Sequence, residues 1–256
     1  MLWLPYKWNL TSGKYDWILV DEAQDLNAAQ LHLVKKATHD SSRFLFVGDP
    51  FQAIYGFSGA DAHSFSKIRE ECEATEFPLP ICYRCPSEIV KLASAIVPTI
   101  EAAPNSIPGE IVSIKETDII LYLKDGDLIL CRSTEPLVRT CFKLLSKKIN
   151  AVIKGKDIRK SLVSIVRSVE STENFQYNNF LEFLGRFAIE KAAKLRQKPH
   201  NERKLIELQD QVASIEVCYT SFNASSLNKF IEELESLFSE DNASITLSTI
   251  HKAKGL

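Results

Sequence analysis

The sequence predicts an α/β fold: parallel-sheet units interrupted by a helical insertion. Three observations carry this. Two short apolar runs, residues 17–20 and 43–47, flank a helix-patterned stretch at 27–38, the spacing of a βαβ unit. A second strand–helix–strand pattern runs over residues 127–153. Between it and a last strand-like run at 244–249 lie residues 157–238, where apolar side chains recur at helical spacing.

The first unit begins with Trp17-Ile18-Leu19-Val20, an apolar strand that ends in Asp21-Glu22. In a parallel sheet the carboxyl ends of strands form the rim where ligands bind, so the two acids are expected there. Asn27 is a plausible cap for the following helix. Arg43-Phe44-Leu45-Phe46-Val47 is again strand, stopped by Gly48-Asp49-Pro50. If the two strands run parallel, Asp21 and Asp49 share a rim, with the amide of Gln52 in reach. Residues 87–97 are amphipathic, with Ile89, Val90, Ala93, Ile96 and Val97 on one side. Pro98, Pro104, Pro108 and Gly109 then mark a loop and a domain boundary. In the second unit, residues 127–131 and 151–153 read as strand and 135–147 as helix. In the insertion, Phe180, Leu184, Phe187 and Phe230, Leu234, Leu237, Phe238 keep helical spacing, and residues 191–204, with Pro199 among them, link two helices.

Length and composition bound the possibilities. The chain has 256 residues, enough for one large or two small domains. Its hydrophobic content of 45% and charged content of 25% are ordinary for a globular protein. No apolar run approaches the ~20 residues that span a bilayer, and the N-terminus lacks the pattern of a signal peptide. Membrane association is not expected, and a cytoplasmic location is. The six cysteines sit apart, several in apolar runs, which fits a reducing compartment. Cys82 and Cys85 form a C-x-x-C, but no second pair is spaced for zinc, and neither metal nor redox use is expected of it. The net charge of −2 argues mildly against a nucleic-acid grip over a whole face. Locally, residues 143–160 hold seven basic side chains against the single acid Asp157. A second basic run covers 191–204. Solvated helix faces explain each as well as phosphate contact does.

Four segments carry chemistry. Asp21-Glu22 at a strand end suits a metal–nucleotide site, where an Asp holds Mg²⁺ and a Glu orients water. In Gly48-Asp49-Pro50-Phe51-Gln52-Ala53-Ile54-Tyr55-Gly56-Phe57, Gln52 can reach a terminal phosphate. Tyr55 and Phe57 either stack on bases or plug the core. In Cys82-Tyr83-Arg84-Cys85, Arg84 is either a surface ion-pair partner or a guanidinium for a transferred phosphoryl group. The terminal Thr249-Ile250-His251-Lys252-Ala253-Lys254-Gly255-Leu256 presents donors suited to phosphates, although a lone His is usually structural.

In this order the four segments resemble the superfamily 1 DNA helicases of the UvrD/Rep/PcrA type. Asp21 to Asp25 look like motif II, Gly48 to Tyr55 with Gly59-Ala60 like motif III, Tyr83-Arg84 like motif IV, and Thr249 to Leu256 like the start of motif V. The resemblance implies incomplete RecA-like units of the P-loop NTPase type, ATP and Mg²⁺ as cofactors, and single-stranded and duplex DNA as partners, with a place in DNA repair. Asp21 would hold Mg²⁺, Glu22 would activate water and Gln52 would sense the γ-phosphate. Tyr83 would stack on adenine and Arg84 would contact the γ-phosphate. Gly255 would belong to the nucleotide site. Tyr55, Phe57, Thr249 and His251 would face DNA. Phe57 stands where the family usually has tryptophan, Ser58 replaces an Arg, and Cys82 replaces a common Asn. The implied organisation is residues 1–98 as part of a first RecA-like domain, 99–156 as the start of a second, 157–243 as the insertion and 244–256 as the return.

The phosphate-cradling G-x-x-x-x-G-K-[ST] does not occur. Gly13-Lys14 is followed by Tyr15 and Gly155-Lys156 by Asp157, and neither has a glycine five residues earlier. The Arg-bearing motif VI is also missing. The expectation is an internal piece of an ATP-dependent, 3′–5′ helicase that hydrolyses ATP poorly alone, completed by the remaining helicase segments or accessory repair proteins. The alternatives are a non-catalytic DNA-binding or interaction module on the same fold, and a Mg²⁺ nuclease using Asp21, Glu22 and Asp25. The nuclease leaves Gln52 and Arg84 without a task.

Overall fold

The computed structural model describes residues 3–10, 13–53, 64–238 and 243–254. Tyr55, Phe57 and Gly255 lie outside the described residues. The chain divides into two units, residues 1–113 and 114–256. Both are mixed α/β with small parallel sheets.

The first unit starts with helix α1 (Trp3–Lys7), strand β1 (Tyr15–Val20), helix α2 (Ala28–Lys36) and strand β2 (Thr38–Phe46). β1 and β2 pair in parallel, Trp17 opposite Arg43 through Val20 opposite Phe46. This is the βαβ unit the sequence predicts. Asn27 caps α2 in a reciprocal capping box: its Oδ1 accepts the Gln30 N–H at 3.0 Å, and Gln30 Oε1 accepts the Asn27 N–H at 2.8 Å. Two of the four donors a helix start leaves unpaired are thereby satisfied.

Helix α3 (Ser64–Glu71) was not evident in the pattern; it covers the first unit's core with Ile68. Strand β3 (Ile81–Cys82), helix α4 (Ser87–Ser94) and strand β4 (Glu101–Ala102) follow, β3 and β4 pairing in parallel. The structure thus keeps residues 99–113, expected to open the second domain, with the first unit. The Pro/Gly run read as a boundary is tied back onto α4. The Ile107 and Pro108 carbonyls accept the Ser87 and Glu88 N–H groups at 2.8 and 2.9 Å. Gly109, at φ +71°, passes so close that an added Cβ would lie 2.5 Å from Pro86 Cβ. A glycine is needed there for both reasons.

In the second unit, strand β5 (Leu128–Cys131), helix α5 (Glu135–Ser146) and strand β6 (Ala151–Lys154) precede four helices, α6 (Lys156–Glu170), α7 (Phe180–Arg196), α8 (Glu202–Ser221) and α9 (Leu227–Leu237). Strand β7 (Ile245–Thr249) then returns between β5 and β6, parallel to both, and helix α10 (Ile250–Ala253) follows. The insertion is therefore closed by a strand that completes the sheet opened before it. Phe180, Leu184, Phe230, Leu234, Leu237 and Phe238 all lie in its core, with Phe187 packed on the margin. Phe180 stacks on Tyr219 at 5.1 Å between ring centroids and contacts Phe230 at 5.6 Å. Asp210 of α8 caps α5 from outside, accepting the Thr134 N–H at 2.8 Å and the Glu135 N–H at 3.0 Å. A carboxylate at a helix N-terminus also suits the helix dipole. Among the described residues no helix is long and apolar enough to cross a membrane.

Candidate functional site: the carboxyl rim of the first sheet

Parallel pairing of β1 and β2 brings residues 21–25 and 47–52 to one rim. The Val47 N–H donates to the Val20 carbonyl at 2.8 Å, and the Ala23 N–H donates to the Val47 carbonyl at 2.9 Å. The backbone ladder thus continues one step past each strand.

Asp21 and Glu22 are both exposed on this rim. Glu22 sits in the left-handed region, at φ 52° and ψ 40°, where a side chain with a Cβ is uncommon and costs on the order of 1–3 kcal/mol. Two contacts hold it. Its N–H donates to Asp21 Oδ1 at 2.8 Å, and its Oε2 accepts from Gln24 Nε2. The turn aims two neighbouring carboxylates off the same strand end instead of letting them alternate.

Gln24 organises the site, and the sequence reading assigned it no role. Its side chain is 1% exposed, while its Nε2 holds Glu22 and its Oε1 accepts the Asp49 N–H at 3.0 Å. Its own carbonyl accepts from Ser64 Oγ of α3 at 3.1 Å. A buried primary amide has both donors and acceptors to satisfy, and this one, bonded through its nitrogen and its oxygen, ties the end of β1 to the end of β2. Gly48 makes room for it: a Cβ there would lie 2.2 Å from Gln24 Oε1 and 2.9 Å from the Ala23 nitrogen. The signal in the sequence was an amide within a short acidic turn, matched by a glycine directly before an Asp at the next strand end.

Asp49 caps the short turn Pro50–Gln52. Its Oδ1 accepts the Phe51 N–H and its Oδ2 accepts from Gln52 Nε2, both at 2.9 Å. Asp21, Glu22, Gln24, Asp49 and Gln52 are therefore linked around one rim. Asp25 is half-buried below it in the turn Ala23–Asp25. Among the described residues no group of three or more His, Cys, Asp or Glu stands close enough to hold a metal ion, so Asp21, Glu22 and Asp25 do not form the three-carboxylate cluster of the nuclease alternative.

The other candidates lie elsewhere. Tyr83 and Arg84 follow β3; Tyr83 is 79% exposed, and Arg84 is exposed as well. Thr249 and His251 sit at the end of β7 in the second unit. Thr249 is nearly buried, and its Oγ1 accepts the Lys252 N–H at 3.4 Å, capping α10. His251 is half-exposed. Beside them Lys252 Nζ meets Asp157 Oδ2 at 2.7 Å, and this ammonium holds the Asp157 carboxyl below its ordinary value.

Comparison with known proteins gives the chain relatives. Residues 8–73 match the family model of the UvrD/REP helicase N-terminal domain. A stretch of 92 residues is 34% identical to ATP-dependent DNA helicase Rep of Buchnera aphidicola subsp. Baizongia pistaciae, covering 36% of this chain and 13% of that protein. A stretch of 126 residues is 35% identical to the probable DNA helicase II homolog of Mycoplasma pneumoniae, covering 46% of this chain and 17% of that protein. ATP-dependent DNA helicase PcrA of Staphylococcus epidermidis is 36% identical over 86 residues, which make up 33% of this chain and 12% of that protein. The chain is thus related to the UvrD/Rep/PcrA-type helicases, and the matches span less than a fifth of each of these relatives.

Proposed function

We propose that this chain is part of an ATP-dependent DNA helicase in which two RecA-like units couple nucleotide hydrolysis to 3′–5′ movement along single-stranded DNA and to duplex unwinding. The observation that carries the reading is the rim itself: two carboxylates from β1 and an Asp–Gln pair from β2, joined by one buried amide. The relatives named as ATP-dependent DNA helicases support it.

The donor chemistry fits Mg²⁺ and a nucleoside triphosphate. Mg²⁺ usually takes one or two protein carboxylates and completes its shell with phosphate and water oxygens, and Asp21 is an exposed carboxylate at a strand end. Bound Mg²⁺–ATP supplies the phosphoanhydride whose hydrolysis drives movement. Glu22, locked in its turn by Gln24 and Asp21, orients and deprotonates the attacking water. Gln52, held by Asp49 on the adjacent strand end, reads the terminal phosphate. Tyr83 offers an exposed ring to the adenine, and the exposed guanidinium of Arg84 offers charge to the γ-phosphate. Thr249 and His251 donate to DNA phosphates from the second sheet's rim, Tyr55 and Phe57 stack on bases, and Gly255 belongs to the nucleotide site.

Equilibrium binding of a fluorescent ATP analogue and of a labelled single-stranded oligonucleotide tests the reading. Mg²⁺-dependent nucleotide binding weakened by Asp21→Ala and by Arg84→Ala is the expected result; failure to bind both ligands overturns it. The chain alone is expected to turn over ATP slowly at best, because no phosphate-cradling loop lies within it. Robust DNA-stimulated turnover abolished by Glu22→Gln would overturn that expectation.

A further inference from the structure

The two basic runs of the sequence have no part in the function above, and the fold treats them differently. Residues 143–160 are dispersed. Lys143 pairs with Glu116 at 3.7 Å, Lys147 and Lys148 precede β6, and Lys154 and Lys156 lie at its opposite end. Residues 191–204 are instead gathered at one place, the tip where α7 turns into α8. The turn is closed on the Leu195 carbonyl, which accepts from Asn201 Nδ2 at 3.0 Å and from the Lys198 N–H at 3.2 Å. Below it Leu184 of α7 and Leu208 of α8 are buried.

Six exposed cations stand at this tip: Lys191, Lys194, Arg196, Lys198, Arg203 and Lys204. Within residues 190–204 only Glu190 and Glu202 oppose them, in a chain whose net charge is −2. Nearer the core, Arg186 of α7 pairs with Glu182 one turn away. Among the described residues Lys194, Arg196, Lys198 and Lys204 stand in no such ion pair. The helix dipole accounts for part of the pattern, because cations suit the last turn of α7, where Lys194 and Arg196 lie. Arg203 and Lys204 occupy the first turn of α8, where the dipole disfavours positive charge. Solvation alone has no use for cations there, whereas a polyanion lying across both helix ends does.

The tip also narrows what that polyanion is. No Phe, Tyr or Trp occurs between residues 188 and 205, so no ring is present on which an unpaired base could stack. Ammonium and guanidinium groups without such rings hold phosphates and leave the bases unread. We infer that the α7–α8 tip is a docking surface for the phosphate backbone of double-stranded DNA, independent of its sequence. That the duplex is DNA rests on the proposed function; the docking itself uses none of the nucleotide-site residues. Each cation that meets a phosphate releases a condensed counterion, so the contact is strongest in dilute salt.

The test titrates the purified chain into a labelled blunt DNA duplex, read by fluorescence anisotropy at several salt concentrations. In the triple variant Lys191→Ala, Lys194→Ala, Lys198→Ala the slope of log K against log salt should flatten by about 2.7, roughly 0.9 for each phosphate contact removed, and affinity at low salt should fall at least about tenfold. Alanine favours helix, so the hairpin should still form, with circular dichroism as the check. A control triple, Lys115→Ala, Lys147→Ala, Lys229→Ala, removes the same charge elsewhere on the unit and should leave slope and affinity near the parent's. A duplex that is not bound, or that both triples weaken equally, overturns the surface. So does binding of phosphatidylserine vesicles without binding of duplex, which would make the partner an anionic membrane. If the duplex docks at the tip while the chain binds neither nucleotide nor single-stranded DNA, the docking surface stands and the proposed function falls.

Discussion

The two units divide structure and chemistry unequally. Among the described residues the second unit packs 23 buried apolar side chains into one continuous cluster, whereas the first clusters three, Ala23, Leu31 and Ile68, and buries Val90 apart from them. The first unit also leaves one sheet face open, with Trp17 at 57% exposure, Leu19 at 70% and Leu45 at 48%. The linked carboxylates and amides lie in the thinly packed unit. Its rim is held by polar contacts more than by apolar burial: a buried amide, a capping box and a ladder extended past the strand ends. Apolar burial is non-directional and tolerates repacking, while a hydrogen-bonded turn sets the direction of each carboxylate. A site of this kind gains precision from its polar shell and little stability from it.

The largest expected effect probes the second unit's core. Phe180→Ala removes a fully buried ring at the centre of the aromatic cluster and should destabilise that unit by about 3–5 kcal/mol. Urea unfolding combined with limited proteolysis reads it. Loss of protection confined to residues 114–238 sharpens the comparison, and equal loss in both units breaks it. Next comes Gly48→Ala. The added methyl would collide with the Gln24 amide, release Glu22 and Asp49 from it, and cost the first unit roughly 1–3 kcal/mol, the scale of a buried polar group left unsatisfied. A shift of proteolytic protection in residues 13–53, with the second unit untouched, is the result to look for. Unchanged protection in the first unit would show that the rim does not depend on the clamp.

The smallest effect is at the rim of the second sheet. Lys252 holds the Asp157 carboxyl below its ordinary value of 3.8, so the folded state binds that proton less readily than the unfolded chain does. The resulting stabilisation is fully present above the unfolded value and is lost as pH falls through the lower, folded one. Asp157→Asn should therefore lower the urea midpoint slightly near neutral pH, and the difference from the parent should begin to shrink as pH falls past 3.8 and vanish below the lower, folded value. Because both groups are exposed, added salt should shrink it as well. A difference that persists in acid would assign the effect to something other than the ion pair.

Much of the fold was legible in one dimension. The helix at 28–36 begins at the Asn27 cap, and the β1–β2 and β5–β7–β6 sheets are built from runs that read as strand. Helix α3 escaped because its first turn, Ser64-Phe65-Ser66-Lys67, offers Phe65 alone as an apolar signal, and its single deeply buried apolar side chain is Ile68. The β3–β4 pair escaped because each strand is two residues long. The boundary moved because prolines and glycines announce a change of direction without stating what the chain packs against afterwards; here they fold back onto Pro86. At the site, Asp21, Glu22 and Gln52 could be nominated from type and position. Gln24 could not, because a buried glutamine is recognisable only once its four neighbours are in place.

Sequence alone determined the strand ends that carry Asp21, Glu22 and Asp49, the spacing that makes them part of a βαβ unit, and the likeness of these segments to a helicase ATP site. Such features are local: they depend on periodicity, capping and residue type over a few neighbours. Tertiary structure decided that β1 and β2 are parallel and share a rim, that Gln24 and Gly48 lock it, and that the 107–109 loop folds back onto Pro86. Each of those depends on segments distant in sequence arriving at one place, and the orientation of a hydrogen bond exists only after they do.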